Sequence, residues 1–163
     1  MTDAETELAS TLEAQTLAQQ IAQQVQEKAH RQIASVVTRS LRAVFAEDPY
    51  EFIIQFERKR GRTEARMVFM REGKEVDPMM AAGGGVVDVA AFALRLSCLM
   101  LSRPPLRRVL VLDEPMRFVS ANLRHRVRKL LEMLSKEMNV QFIIVTHQTE
   151  LVSETTTTIE VTK

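Results

Sequence analysis

Two apolar runs separated by an amphipathic segment constrain the fold of this chain more than any other feature. Residues 107–113 contain four consecutive aliphatic side chains, and residues 140–146 form a second apolar run. Runs without alternation are typical of parallel strands that are covered on both faces. Residues 122–138 place their apolar side chains on one side of a helix. The order of strand, helix and strand predicts a right-handed βαβ unit and therefore an α/β fold.

The first third of the chain predicts one long helix. Residues 3–45 contain no Gly or Pro, and their apolar residues recur at helical spacing. Because this length exceeds that of most globular helices, we expect residues 1–46 to form a coiled-coil arm or its stub, and residues 47–163 to form an α/β lobe. Within the lobe, residues 50–58 and 64–72 are predicted to be strands joined by a basic turn, as in a β-hairpin.

Composition excludes several classes of protein. The 163 residues are 45% hydrophobic with a net charge of +1, which is not typical of disordered or collagen-like chains. A single cysteine allows no internal disulfide, which suggests a reducing compartment. The N-terminus lacks the pattern of a secretory signal, and no apolar run reaches the roughly 18 residues of a membrane span. We therefore expect a cytoplasmic location and no membrane partner.

Acidic residues follow the first apolar strand, and a histidine follows the second. Asp113 and Glu114 come directly after Leu112, and His147 comes after Thr146. Because the carboxyl ends of parallel strands share one edge of a sheet, all three side chains should lie close together. One carboxylate could hold Mg²⁺, and the other could accept a proton from an attacking water.

A triple glycine precedes a segment that is apolar on nearly every face. Gly83, Gly84 and Gly85 should open a buried helix, whose first N–H groups and positive dipole favour anions. Taken alone, this pattern also fits a flexible loop before a capped helix. Asp88 is expected in the first turn, where it would suit the helix dipole. Arg95 is the one charge in the middle of the helix and must reach a partner or solvent.

Together, the glycine-rich helix start, the strand ending in Asp113-Glu114-Pro115 and the strand ending in Thr146-His147 resemble the C-terminal lobe of an ABC-type ATPase head. The closest group is that of the SMC, SbcC and RecF-like DNA repair and chromosome ATPases, whose heads also receive a coiled-coil helix before this lobe. The resemblance covers residues 30–160 in element order. It implies an ATPase that uses ATP and Mg²⁺, dimerises head to head and is cytoplasmic or associated with the nucleoid.

The resemblance also implies a role for each matching residue. Asp113 matches the Walker B aspartate, Glu114 the catalytic glutamate and His147 the switch histidine that senses the γ-phosphate. Gly83, Gly84 and Gly85 match the signature loop, which binds the nucleotide of the opposite head. Arg95 matches a basic residue that couples ATP binding to movement. Residues 115–120 occupy the position of the D-loop at the dimer seam.

Three features depart from the pattern of this family. Gly83 stands where the signature serine is expected, and Val86 replaces the usual Gln or Glu. Residues 116–120 lack the usual Leu-Asp of the D-loop. No G-x-x-x-x-G-K-[ST] occurs anywhere, so the lysine and backbone cradle for the phosphates are missing. The chain therefore reads as half of a nucleotide site, inactive without a Walker A-bearing N-terminal lobe from the same parent chain or another chain.

A basic segment suggests a further surface. Residues 100–130 contain eight basic and two acidic residues. Four of the basic ones are expected to face outward or sideways from the helix and to contact the DNA backbone: Arg124, Arg126, Arg128 and Lys129. A solvated helix face is an equally good explanation. Double-stranded DNA and a nuclease subunit are accordingly expected partners.

Two other functions remain open at this point. The chain could be a non-catalytic interaction or regulatory module, derived from such an ATPase, that binds DNA or a partner ATPase. It could also be an unrelated metal-dependent phosphohydrolase that uses Asp113, Glu114 and His147 directly, although such sites need more converging acids.

Overall fold

The computed structural model describes residues 3–59, 62–77, 80 and 83–161. Contacts divide the chain into two compact units, residues 1–32 and residues 33–163. Helix α1 (Asp3–Val44) contributes to both, so the predicted helix is present but the compact lobe includes its last third. In the first unit the apolar side chains of α1 are more than half exposed; they are Leu8, Leu12, Leu17, Ile21 and Val25.

The second unit begins with an antiparallel sheet. Strands β1 (Glu51–Lys59), β2 (Arg62–Arg71) and β3 (Lys74–Val76) pair in that order. The hairpin was predicted, but the short third strand was not. Thr38 of α1 joins the β1 edge, because its hydroxyl accepts the Phe52 N–H (2.9 Å) and donates to the Phe52 carbonyl (3.2 Å).

The α/β part follows the predicted order. Helix α2 (Gly84–Leu101) leads to β4 (Val109–Asp113), then to a 3₁₀ turn (Ala121–Leu123), α3 (Arg124–Met138), β5 (Gln141–Val145) and a second 3₁₀ turn (Thr149–Leu151). Strands β4 and β5 pair in parallel, with Val109 opposite Gln141 and Asp113 opposite Val145. This is the predicted βαβ unit. Residues 155–162 are rich in Thr, Ile and Val, but residues 155–161 form no strand and are exposed.

One hydrophobic core joins the helices to one face of the parallel strands. Residues from α1, α2, α3 and β4 are at most 4% exposed, among them Leu41, Leu96, Leu134 and Leu112. By length and composition α2 could also cross a membrane, the only described helix that could, but 44% of that segment is buried within the lobe, as expected of a core helix.

The second face of the parallel strands is open, contrary to the prediction that both faces are covered. Val111 is 67% exposed and Val145 is 60% exposed, and Val109 and Ile143 are also exposed on alternate positions. Side chains alternate between the two faces of a strand, so Leu112 faces the core while its neighbours face outward. The apolar run indicated burial on two sides, and the chain itself covers only one. We call these four residues the open sheet face.

Candidate functional site

The carboxyl ends of β4 and β5 meet at one edge of the parallel sheet. Asp113 and Val145 are register partners, and the Glu114 N–H donates to the Val145 carbonyl (2.8 Å), which extends the ladder by one residue. Thr146 and His147 follow β5 directly. The edge therefore carries two carboxylates and one imidazole, which the order of strands predicted, and one hydroxyl, which it did not.

The carboxylate of Glu114 contacts the residues after β5 directly. It accepts the His147 N–H (2.9 Å) and the Thr146 hydroxyl (3.1 Å), and its Oε1 lies 2.8 Å from Nδ1 of the His147 ring. The Thr146 oxygen also accepts the Gln148 N–H (3.1 Å). Three donors from two consecutive residues therefore hold the orientation of one carboxylate.

These contacts set the charge of Glu114. Burial raises the pKa of this carboxyl, but the His147 ring, the His147 N–H and the Thr146 hydroxyl outweigh it and lower the pKa below its ordinary value. The group is therefore ionised at neutral pH and is a weakened base while all three donors remain. The His147 side chain is 80% exposed, so Nδ1 faces Glu114 while the rest of the ring stays accessible to a ligand.

The segment from Glu114 to Ser120 turns sharply away from the strand. Glu114 and Met116 have positive φ values of 44° and 58°, which non-glycine residues adopt at a cost of about 1–3 kcal/mol each. Met116 is only 4% exposed, and its carbonyl accepts the Val119 N–H (3.0 Å). A buried side chain and an internal hydrogen bond thus stabilise a strained backbone next to the two acids.

The glycines lie where this segment meets α2. A Cβ on Gly84 would stand 3.0 Å from Cβ of Phe118, and one on Gly85 would stand 3.0 Å from the Phe118 carbonyl oxygen. Gly83 is different, because nothing lies within 4 Å of its Cβ position and its backbone (φ 71°, ψ −175°) is one that essentially only glycine adopts. Two glycines are thus needed for close packing and one for the turn into the helix.

Asp88 and Arg95 lie farther along α2. Because α2 begins at Gly84, Asp88 is in the second turn and not the first, contrary to the prediction, and its carboxylate accepts the Phe118 N–H (3.0 Å). Arg95 is exposed, which resolves the problem of a charge in an apolar helix. No side chain caps the start of α2.

Three of the four predicted DNA-binding residues pair with acidic residues of the same chain. Arg124 pairs with Glu150 (3.0 Å), Arg126 forms a bidentate pair with Glu47, and Arg128 lies 3.9 Å from Glu132. These arginine side chains are 24–33% exposed, so they lie against the lobe more than the pattern suggested. Lys129 is exposed. Part of the basic hairpin turn, at residues 60 and 61, lies outside the described residues.

The donor set fits a magnesium ion that is shared with a nucleotide. Asp113 is exposed at the sheet edge beside Glu114. Within the described ranges, no three His, Cys, Asp or Glu residues are grouped so that they could hold a metal ion. Magnesium is commonly bound by one or two carboxylates together with phosphate oxygens and water, so one carboxylate suffices when a nucleotide supplies the rest. A metal-dependent phosphohydrolase needs several converging acids, and the described residues offer no such group.

Three residues of this site were not predicted. Thr146 was predicted only to precede the histidine, Asp88 only to suit the helix dipole, and Phe118 had no predicted role in this site. Each makes a hydrogen bond across about 30 residues of sequence. The one signal in the sequence is position along the chain. Thr146 directly precedes His147, and Phe118 lies shortly after the two acids.

Comparison with known proteins gives a family model and several solved structures. The model described as "AAA domain, putative AbiEii toxin, Type IV TA system" matches residues 89–153, from α2 to just beyond the second 3₁₀ turn. No curated protein matches the sequence.

The fold is similar to solved SMC heads. The head with a coiled coil and joint from Pyrococcus yayanosii has a TM-score of 0.67 at 19% identity over 90% of this chain and 28% of that one. The head domain from Thermotoga maritima has a TM-score of 0.52 at 20% identity over 76% and 40%. The SMC head bound to the C-terminal winged-helix domain of ScpA has a TM-score of 0.56 at 19% identity over 75% and 36%. The chain thus spans 40% or less of each of these structures.

Proposed function

Because this chain has the fold of one lobe of an SMC-type ATPase head, we propose that it is the C-terminal half of a nucleotide site. The complete site binds and hydrolyses ATP where two heads meet, in DNA repair, recombination or chromosome maintenance in the cytoplasm or on the nucleoid. The observation that carries this proposal is the contact between Glu114 and His147 beside Asp113, at the carboxyl edge of a parallel strand pair.

The open sheet face supports the view that a second lobe completes the site. Val111, at the centre of β4, and Val145, at the end of β5, expose most of their side chains next to the edge that carries the acids. A Walker A-bearing lobe would cover this face and supply the lysine and backbone cradle that the sequence lacks. The four exposed side chains are those that a strand or helix of such a lobe would bury.

Asp113 is the residue of this chain that would hold magnesium. Bound magnesium would neutralise charge on the nucleotide's phosphates. The rest of its coordination sphere would come from water, the nucleotide and the Walker A-bearing lobe. Replacing Asp113 by Ala is therefore expected to weaken the use of Mg-ATP more than the folding of the lobe, since the side chain is exposed.

Glu114 would orient and deprotonate the attacking water. In the free lobe its carboxylate is held by Thr146 and His147, which lowers its basicity. A γ-phosphate that hydrogen-bonds the exposed ring of His147 would draw the imidazole away from Glu114. The base would then lose one or two donors and gain basicity when substrate is present. Without substrate, Thr146 and His147 thus keep Glu114 weakly basic. When ATP is bound, the His147 ring would contact the γ-phosphate and release Glu114.

The glycine loop would act on the nucleotide of a second head. Gly83 presents its backbone at the uncapped start of α2, where N–H groups favour anions, and Gly84 and Gly85 follow it into the helix. The missing signature serine leaves backbone contacts as the means of binding. Arg95 on the exposed side of α2 would couple closure of the dimer to movement of the arm. Partners of the assembly would include a nuclease subunit and double-stranded DNA.

DNA contact through α3 would require exchange of ion pairs. Arg124, Arg126 and Arg128 would have to leave Glu150, Glu47 and Glu132, whereas Lys129 is already exposed. Phosphate contact would make the affinity fall steeply with salt. Lys129→Ala should therefore lower the affinity for duplex DNA more than Arg126→Ala does.

The decisive experiment measures ATP turnover with and without a Walker A-bearing lobe. We expect no turnover by the purified chain alone at high Mg-ATP, and turnover in the reconstituted complex. Glu114→Gln should lower kcat of the complex by about 10²–10⁴-fold and trap an ATP-bound dimer, because the base is lost while binding groups remain. Glu160→Gln, in the exposed C-terminal segment, is the matched control and should leave turnover unchanged.

Two outcomes would contradict the proposal. One is robust turnover by the chain alone that Glu114→Gln abolishes. The other is wild-type turnover in a complex that carries Glu114→Gln. A complex that binds ATP and never hydrolyses it would favour the alternative function, a regulatory module in which the three donors on Glu114 keep the base permanently bound.

A further inference from the structure

The start of α2 and the segment after Glu114 are joined by more contacts than packing alone requires. The Asp88 carboxylate accepts the Phe118 N–H at 3.0 Å. Four residues earlier, Gly84 and Gly85 allow Phe118 to approach so closely that a Cβ on either would meet it at 3.0 Å. The hydrogen bond and the absence of side chains fix the same short segment from two directions.

The segment itself has little freedom. Its first residue, Glu114, is bonded through its N–H to Val145, and its turn is closed by the bond from the Val119 N–H to the Met116 carbonyl. Met116 and Val119 are at most 4% exposed. A displacement of Phe118 therefore has to move the backbone of Glu114, because buried side chains and hydrogen bonds hold the residues between these two in place.

We propose that Asp88 is a positioning residue that fastens the 114–120 segment to the glycine-rich start of α2, so that the glycine loop and the Glu114–His147 pair move as one unit. Its catalytic meaning rests on the proposed function, in which the glycine loop touches the nucleotide of one head and Glu114 acts at the other site of the dimer. Closure of the glycine loop on one nucleotide would then move the Glu114 carboxylate, which acts on the second nucleotide.

The exposed ring of Phe118 is consistent with this role. The ring is 59% exposed and the Arg117 guanidinium lies over it, 4.7 Å from its centroid. An exposed aromatic side chain contributes little to the core, so its backbone position is not set by burial of the ring. The Asp88 hydrogen bond, together with the buried neighbours Met116 and Val119, fixes that position, and the two glycines leave room for it.

The test uses nuclear magnetic resonance on the full chain and does not depend on ATP. Asp88→Ala should speed hydrogen exchange of the Phe118 amide by about tenfold or more, since hydrogen bonds to charged acceptors are among the stronger ones. It should also shift the ring-nitrogen signals of His147, because Nδ1 contacts Glu114. Asp88→Asn keeps a carbonyl acceptor and should retain most of the Phe118 protection and the wild-type His147 signals.

A matched control is available at a distance from the site. Asp48→Ala removes another half-buried aspartate, which pairs with Arg71 (2.5 Å) beside the antiparallel sheet, and should change neither readout. Should Asp88→Ala lower the stability of the lobe too far for measurement, Asp88→Glu is the substitute. It keeps the charge but moves the acceptor by one methylene, and should shift the His147 signals while the lobe stays folded.

The outcomes separate this inference from the proposed function. Unchanged Phe118 exchange in Asp88→Ala, or lost protection with His147 signals identical to wild type, would overturn it. In the reconstituted complex, Asp88→Ala should lower kcat with KM for ATP unchanged, because Asp88 touches no nucleotide. If the wild-type complex has no turnover, the proposed function fails, and the resonance measurements still decide whether Asp88 positions Glu114.

Discussion

Among single residues, the acids differ sharply in what their hydrogen bonds do. Glu114 receives three donors at the sheet edge, which favours a fixed orientation over basicity. Glu47, just after α1, meets Arg126 of α3 through two nitrogens, and the same guanidinium also donates to the Val44 carbonyl (3.2 Å). The Arg126 pair therefore ties the last carbonyls of α1 to α3, where a positive charge suits the end of the helix dipole.

We predict a pH dependence of stability from the Glu47 pair. Hydrogen bonding by Arg126 lowers the pKa of Glu47 from 4.5 to about 2. A lowered pKa in the folded state stabilises the fold above the unfolded-state pKa, and this contribution is lost as pH falls from about 4.5 towards 2. Glu47→Gln should therefore lower the urea midpoint at pH 6–7, and the difference from wild type should shrink as the pH approaches 2. Glu154→Gln serves as the control, and a constant difference at all pH values would refute the prediction.

The sequence was sufficient to identify site residues that come at the end of a strand. It was not sufficient to identify residues whose role depends on a hydrogen bond to a distant part of the chain. Asp113, Glu114 and His147 follow apolar strands, so the rule for parallel sheets places them together. Thr146 and Asp88 act through bonds to residues 32 and 30 positions away, for which no local pattern exists. The acids that pair with Arg124 and Arg126 lie 26 and 79 residues away in sequence, so the run of cations could not indicate these ion pairs.

Among the elements, α1 combines two kinds of helix in one. Up to residue 32 its apolar stripe is exposed, whereas Val37, Leu41 and Val44 are completely buried. The coiled-coil arm expected for residues 1–46 stays a proposal. The periodicity could not show where packing begins, because the same stripe continues through both halves.

We predict that residues 1–32 are dispensable for the stability of the lobe. Their removal takes away no buried apolar side chain among the described residues, so the free energy of unfolding should change by no more than about 0.5 kcal/mol. Thermal melting followed by circular dichroism would measure this, with a smaller helical signal at an unchanged midpoint.

A longer deletion provides the contrast. Removal of residues 1–40 also takes away Val37 and Thr38, and with Thr38 the hydroxyl that satisfies the edge of β1 at Phe52. This variant should unfold or lose its cooperative transition. Equal stability of the two deletions would show that α1 does not belong to the core.

In the molecule as a whole, the open sheet face is the feature that separates this lobe from a complete domain. The sequence predicted correctly that β4 and β5 are parallel neighbours and wrongly that both faces are covered. An apolar run indicates that both faces of a strand are covered, and the covering side chains need not belong to the same polypeptide. The exposure of Val111 and Val145 is what the proposed docking of a second lobe would account for.

We predict that a charge on this face blocks completion of the site without unfolding the lobe. Val111→Lys should leave the melting temperature close to wild type, because the side chain is 67% exposed. It should weaken binding to a Walker A-bearing lobe by about tenfold or more, since a charge would have to be buried without a partner. Analytical ultracentrifugation of the mixture measures this.

The control for this variant lies off the sheet. Leu106→Lys changes a side chain of similar exposure (59%) in the loop before β4 and should bind as wild type does. Equal loss of binding in both variants would mean that added charge acts by a general effect. Wild-type binding by Val111→Lys would mean that the open sheet face is not where the second lobe docks.

A two-stranded sheet with one apolar face in water also affects whether such a chain aggregates or is degraded inside a cell. Exposed apolar side chains beside unpaired strand edges are a template for self-assembly. Copies that lack a partner to cover this face would collect in aggregates or be removed by chaperones and proteases. Under the proposed function, production of the two lobes would therefore have to be matched, whether by fusion in one polypeptide or by synthesis side by side.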